Sequence, residues 1–195
     1  IIASGEGTCV LHYIKNDEVC KDGDLLLLDL GAGYANYNAD MTRVLPVNGK
    51  FSKRQKAVYN AVHRVMKKHI PEMKAGRTIQ ELQQFCCDNI EKELVDLKLL
   101  TMKDIKSQDP AWPAFKKYFM HNISHHLGID VHDVGDLYRK LEPGMVLSCE
   151  PGIYIKEESL GVRLENDIMV TESGGKDLMK NIPIDADEIE ELMKK

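Results

Sequence analysis

The sequence predicts an α+β domain built around antiparallel sheet. Three observations lead there. Strand-like runs stand at both ends of the chain, and helical periodicity fills the middle. The strands also come in pairs split by turn residues, with no strand–helix–strand repeat between them. At 195 residues the chain reads as one domain, 1–195, long enough to bury roughly 70% of its unfolded surface without disulfides or other staples. It opens at Ile1 inside a strand-like stretch with no initiating methionine, so it is expected to be the C-terminal part of a longer protein.

The elements follow in order. Residues 24–30, DLLLLDL, form a continuous apolar run ending at Gly31, as expected of a strand buried on both faces. Residues 38–47, NADMTRVLPV, read as its hairpin partner, with GAGYANY as the turn. Ser52 and Gln55 form a capping box that opens a helix to about Ile70, with Val58, Val62, Val65, Met66 and Ile70 on one face. Thr78 and Glu81 form a second box, opening a helix to about Leu94. Pro110 and Pro113 break residues 98–120 into short helical pieces. Strand candidates follow at 145–149, 150–155, 160–165 and 166–171, and Asp185 with Glu188 caps a last helix to Met193.

Composition narrows the function. The hydrophobic share of 43%, the charged share of 29% and the net charge of −5 are those of an ordinary soluble protein. Without a basic block there is no footprint for nucleic acid. Without a run of ~18 apolar residues or a signal peptide there is no expected membrane segment. The five cysteines are odd in number and include no C-x-x-C, so they read as reduced, mostly buried thiols of a cytoplasmic protein.

Four of the seven histidines fall in one stretch, HNISHHLGIDVHD at 121–133. Carboxylates elsewhere are placed to meet it. Asp29 and Asp40 are symmetric about Tyr34–Ala35, so a regular hairpin turning there sets them directly opposite, roughly 5 Å apart at Cβ. Glu150 and Glu165 are symmetric about Glu157–Glu158, again inside a turn. All four sit in apolar strand sequence, where an acid is rare unless paired or metal-bound. Four carboxylates with a histidine make an oxygen-rich set suited to two divalent cations, Mn²⁺ or Co²⁺, rather than to a thiolate zinc site. A helical zinc site using His121, His125 and His132 is opposed by Ile123, Gly128, Ile129 and Val131. His63 and His69, on the apolar face of the first helix, read as core histidines rather than ligands.

Taken together, LHYIKND, LLDLGAGYANYNADMTR, HNISHHLGIDVHD, LEPGMVLSCEPGIYI and GVRLENDIMVT resemble, in that order, the catalytic domain of the Xaa-Pro aminopeptidase (aminopeptidase P) and prolidase family. The resemblance covers nearly the whole chain. It implies the pita-bread fold, truncated at its N-terminus, and a site holding two divalent metal ions, Mn²⁺ first and Co²⁺ or Zn²⁺ as alternatives. It implies metal ligands Asp29, Asp40, His125, Glu150 and Glu165. His12, His121 and His132 then match histidines around the substrate, Tyr154 and Arg163 match positions supporting the ligands, and Glu150 doubles as the proton carrier. His126 matches no role. The implied activity is hydrolysis of the bond between an N-terminal residue and a following proline, by a hydroxide bridging the metals. Two rivals are a dipeptidase limited to Xaa-Pro and a non-catalytic binding module on the same fold. The expected partners are peptides with proline in second position, and a second copy in the full-length protein. Asn122, where the family often has glycine, and His126, where aminopeptidase P members often carry tryptophan, depart from the pattern.

Overall fold

A computed structural model describes residues 1–194. Strands β1 (Ile2–Ser4), β2 (Leu25–Leu30) and β5 (Met41–Pro46) form an antiparallel sheet in the order β1-β2-β5. Between β2 and β5 a small hairpin, β3 (Gly33–Tyr34) and β4 (Tyr37–Asn38), projects from the sheet. Its turn residues Ala35 and Asn36 both have positive φ, 50° and 62°, as a two-residue type I′ turn requires. The turn therefore centres on 35–36, one residue later than expected from the symmetry of the two aspartates. The register moves by two: Asp29 pairs with Thr42 rather than Asp40. A shift of two keeps the side chains on the same face.

The apolar run of β2 is one-sided. Leu25 and Leu27 are buried in the core, Leu26 and Leu28 are half-buried, and Leu30 is exposed, because only one face meets the core cluster. Helix α1 (Lys53–His69) and helix α2 (Ile79–Asp96) begin at the expected capping boxes, with both reciprocal bonds formed in each. They pack on one another, and α1 also lies against β7 (Gly152–Ile155) and β8 (Leu160–Arg163). The apolar stripe Val58, Val62, Val65 and Met66 is the buried face of α1. A one-turn helix, α3 (Met102–Lys106), and a 3-10 turn at Ala114–Lys117 fill the proline-containing segment.

Strand β6 (Val146–Cys149) pairs with β9 (Asn166–Val170), and β7 pairs with β8 in the same register. Together they make one long hairpin interrupted at 150–151 and 164–165. β10 (Gly175–Asp177), absent from the sequence reading, adds an edge to β9. Helix α4 (Ala186–Leu192) starts at Asp185, whose carboxylate accepts the N–H groups of Asp187 and Glu188. Among the described residues no helix is long and apolar enough to cross a membrane.

Candidate metal centre

The interruption in the long hairpin is where the site is built. Glu150 and Glu165 occupy the two sides of the break, opposite one another in the register that pairs Gly152 with Arg163 and Cys149 with Asn166. Asp29 comes from the end of β2, and Asp40 from the residue before β5. The histidine stretch contains no helix; it runs beside β6 as an irregular partner. Glu150 N–H donates to Ile123 O, Ser148 N–H to His125 O, and His125 N–H to Ser148 Oγ. These bonds carry His125 to the carboxylates from the other side.

One cavity of about 330 Å³ receives Asp29, Asp40, His125, Glu150 and Glu165, together with His12, His121, His132 and Arg163. His125 Nε2 lies 3.7 Å from Asp40 Oδ2, 3.6 Å from Glu150 Oε1 and 4.0 Å from Glu165 Oε1. These separations are too long for hydrogen bonds. They suit donors sharing a cation, which at bond lengths near ~2.1 Å stand roughly 3–4 Å apart. Donor atoms of Asp29, Asp40 and Glu165 lie within 4.8 Å of one another, as do those of His125, Glu150 and Glu165. Asp40, His125 and His132 form a third such group.

The electrostatics make the same point. Burial, then the neighbouring Asp29, raises Asp40 to about 6. Burial raises Glu150 to about 8, with Arg163 pulling the other way and Asp40 adding to the rise. Glu165 is pushed well up by burial, Glu150 and Asp40. Acids this crowded cannot all ionise unless cations compensate them. The donor set therefore fits hard or borderline divalent ions.

Around the acids runs a hydrogen-bonded frame. Arg163 donates to Asp29 Oδ2 (2.6 Å), to Tyr154 Oη (3.1 Å) and to Thr42 Oγ1 (3.2 Å), while Thr42 Oγ1 donates to Glu165 Oε2 (2.7 Å). Tyr154 is buried and stands behind the cavity through this frame. His121 has both ring nitrogens engaged: Nδ1 with Asn122 O at 2.8 Å and Nε2 with Tyr154 Oη at 2.8 Å. A carbonyl only accepts, so Nδ1 carries the hydrogen and Nε2 accepts the Tyr154 O–H. His121 thus lines the cavity without a free nitrogen. Burial holds it neutral, with its pKa lowered to about 4.

His132 stacks edge-on to His125 at 4.3 Å and faces His12 at 6.2 Å. Both His12 and His132 are exposed at the rim, so their nitrogens are open to a ligand. His126 is turned away, with its ring against Gly135.

Several supporting residues escaped the sequence reading. Thr42 bonds Glu165, Ser148 Oγ lies 3.3 Å from Glu150 Oε1, and buried Asp167 accepts the Asp40 N–H (3.2 Å). The signal was available for two of them. Thr42 follows Asp40 by two residues and Ser148 precedes Glu150 by two, and residues two apart on a strand share a face.

Residues 1–172 match the metallopeptidase family M24. The chain belongs to this family. It is 40% identical to Xaa-Pro aminopeptidase of Escherichia coli over 205 residues, covering 99% of this chain and 46% of that protein. The solved structure of proline aminopeptidase P II from Yersinia pestis superposes with a TM-score of 0.90 at 40% identity, covering 99% of this chain and 47% of that one. Zinc-substituted E. coli aminopeptidase P in complex with product gives the same TM-score at 38% identity, covering 99% and 46%. This chain thus has the pita-bread fold of the M24 aminopeptidases and spans just under half the length of these relatives.

Proposed function

We propose that the chain is the catalytic domain, residues 1–195, of a metal-dependent hydrolase that removes an N-terminal residue preceding proline. The observation that carries this is the convergence of Asp29, Asp40, Glu150, Glu165 and His125 in one cavity. The relatives named Xaa-Pro aminopeptidase supply the substrate class. In this reading the five residues hold two divalent ions, Mn²⁺ being the first choice for so oxygen-rich a set. Such ions, when bound, supply Lewis acidity and a water acidic enough to yield hydroxide near neutral pH.

The chain's own groups do the rest. Glu150, at the cavity wall, takes a proton from the attacking water and returns it to the departing proline nitrogen. His12 and His132 touch the substrate from the rim and stabilise charge developing on the scissile carbonyl oxygen. Arg163 holds Asp29 and Tyr154; the Asn122 carbonyl fixes the tautomer of His121, and Tyr154 holds its ring in place. The unpaired cysteines suit a reducing compartment such as the cytosol.

The test is cleavage by the Mn²⁺-loaded protein of three substrates: an Xaa-Pro-Yaa peptide, an Xaa-Pro dipeptide and an Xaa-Ala-Yaa control. Preference for the first supports an aminopeptidase, and cleavage of the dipeptide alone replaces it with a dipeptidase. Failure to cleave any of them with the metal bound would leave a binding module.

A further inference from the structure

Tyr37 and Asn38 of the small hairpin hold the histidine loop at Leu127–Ile129, whereas its first part, at Ile123, lies between β6 and one side chain from α2. Gln83 accepts the Ile123 N–H at Oε1 (2.7 Å) and donates from Nε2 to His121 O (3.4 Å). The amide orientation is set by the Ile123 N–H, which only donates and so must face Oε1; Nε2 then also lies 3.4 Å from Cys87 Sγ. Ile123 is fully buried, and its carbonyl accepts the Glu150 N–H at 2.9 Å. The peptide group at 123 is therefore clamped from both sides, two residues after His121 and two before His125.

We propose that Gln83 is a positioning residue of the metal centre: its side-chain amide stands in for a strand edge, fixing the loop backbone that presents His121 and His125. Without it the buried Ile123 N–H has no acceptor, and the loop must shift to find one. His125 then moves off its line toward Asp40, Glu150 and Glu165. Glu150 is affected through the backbone bond it shares with Ile123. The activity arm of the test rests on the functional reading above, whereas the metal-binding arm does not.

Three proteins are compared in the whole chain: wild type, Gln83→Met, which keeps the length without hydrogen bonds, and Gln83→Glu, which keeps the acceptor. Co²⁺ is the probe, followed by its visible spectrum and by titration. Gln83→Met is expected to weaken Co²⁺ binding about 10- to 100-fold and to change its spectrum. On an Xaa-Pro-Yaa peptide it lowers kcat by about 10²-fold with little change in KM, the penalty of slightly misplaced groups. Gln83→Glu restores Co²⁺ affinity to within about threefold, because the stronger of the two bonds survives. Should Gln83→Met fail to fold, Gln83→Asn, too short to reach the loop, carries the same readouts. Wild-type Co²⁺ affinity and spectrum in a variant that lowers only the melting temperature would overturn the proposal, as would a Gln83→Glu protein no better than Gln83→Met. If the wild type cleaves no Xaa-Pro peptide, the functional reading fails while the Co²⁺ titration still decides the role of Gln83.

Discussion

At the residue scale, the four histidines of one short stretch have four different surroundings. His125 faces three carboxylates, His121 is bonded at both nitrogens, His132 stands open at the rim, and His126 packs against Gly135. His125→Ala should lose metal and activity together. His132→Ala should keep both metals and lower turnover by a factor of ~10² to 10³, the usual worth of one such contact. His126→Ala should alter neither. Elemental analysis beside peptide cleavage checks all three. Because His132 also falls in a group with Asp40 and His125, metal loss in His132→Ala would move it from substrate contact to ligand. A fifth histidine matters for stability. Among the described residues His69 is fully buried with no hydrogen-bond partner for either ring nitrogen, and burial lowers its pKa to about 4. The folded chain disfavours its protonation, so the unfolded chain gains the proton first as pH drops below 6.5. The stability contributed by neutral His69 is intact above that pH and is lost progressively toward pH 4, by up to about 3 kcal/mol. His69→Leu should show a correspondingly flatter pH dependence than wild type over this window in denaturant titrations.

At the scale of elements, both capping boxes and the register of the Glu150–Glu165 hairpin could be read directly, because caps and turn symmetry are local. The first hairpin could not. Asn36 favours a left-handed turn position and Ala35 does not, so nothing nearby marked 35–36 as the turn. Its chain path depends on a close approach instead. Gly31, between β2 and the small hairpin, lies so near Ala39 that a Cβ there would sit 1.8 Å from the Ala39 carbonyl oxygen. That oxygen is backbone and cannot swing aside. Gly31→Ala should therefore force the segment leading into Asp40 outward, costing about 1–3 kcal/mol or more. The fall in melting temperature should come with weakened metal binding, since Asp40 moves with the backbone. A variant that melts lower yet binds Mn²⁺ as wild type would separate the turn from the site.

At the scale of the whole molecule, the site is a store of unfavourable charge in the metal-free protein. Asp40 at about 6, Glu150 at about 8 and Glu165 well above the carboxylate range mean that the folded chain holds protons the unfolded chain has released. For raised carboxylates the stability is present below the unfolded value, near 4–4.5, and is lost as pH rises through the folded values. Metal takes over the protons' role as pH rises. At ~100 times its dissociation constant one bound ion adds roughly 2.7 kcal/mol. A chelator should thus lower the melting temperature more at pH 8 than at pH 5.5, and Mn²⁺ should restore it. An equal shift at both pH values, or none in protein shown to carry metal, would contradict this account.

The sequence by itself determined the α+β class, the starts of α1, α2 and α4, and the pairing of Glu150 with Glu165. Each of these depends on neighbours within a few residues, or on a symmetry about one turn. Only the tertiary structure decided that Asp29 pairs with Thr42, that His121 is occupied by Tyr154 and Asn122, and that Gln83 and Asp167 bond the backbone N–H groups of Ile123 and Asp40. Those facts join atoms far apart in the chain, 127 residues in the case of Asp40 and Asp167. A hydrogen bond across such a distance is set by how sheets and helices pack, and local periodicity carries no record of it.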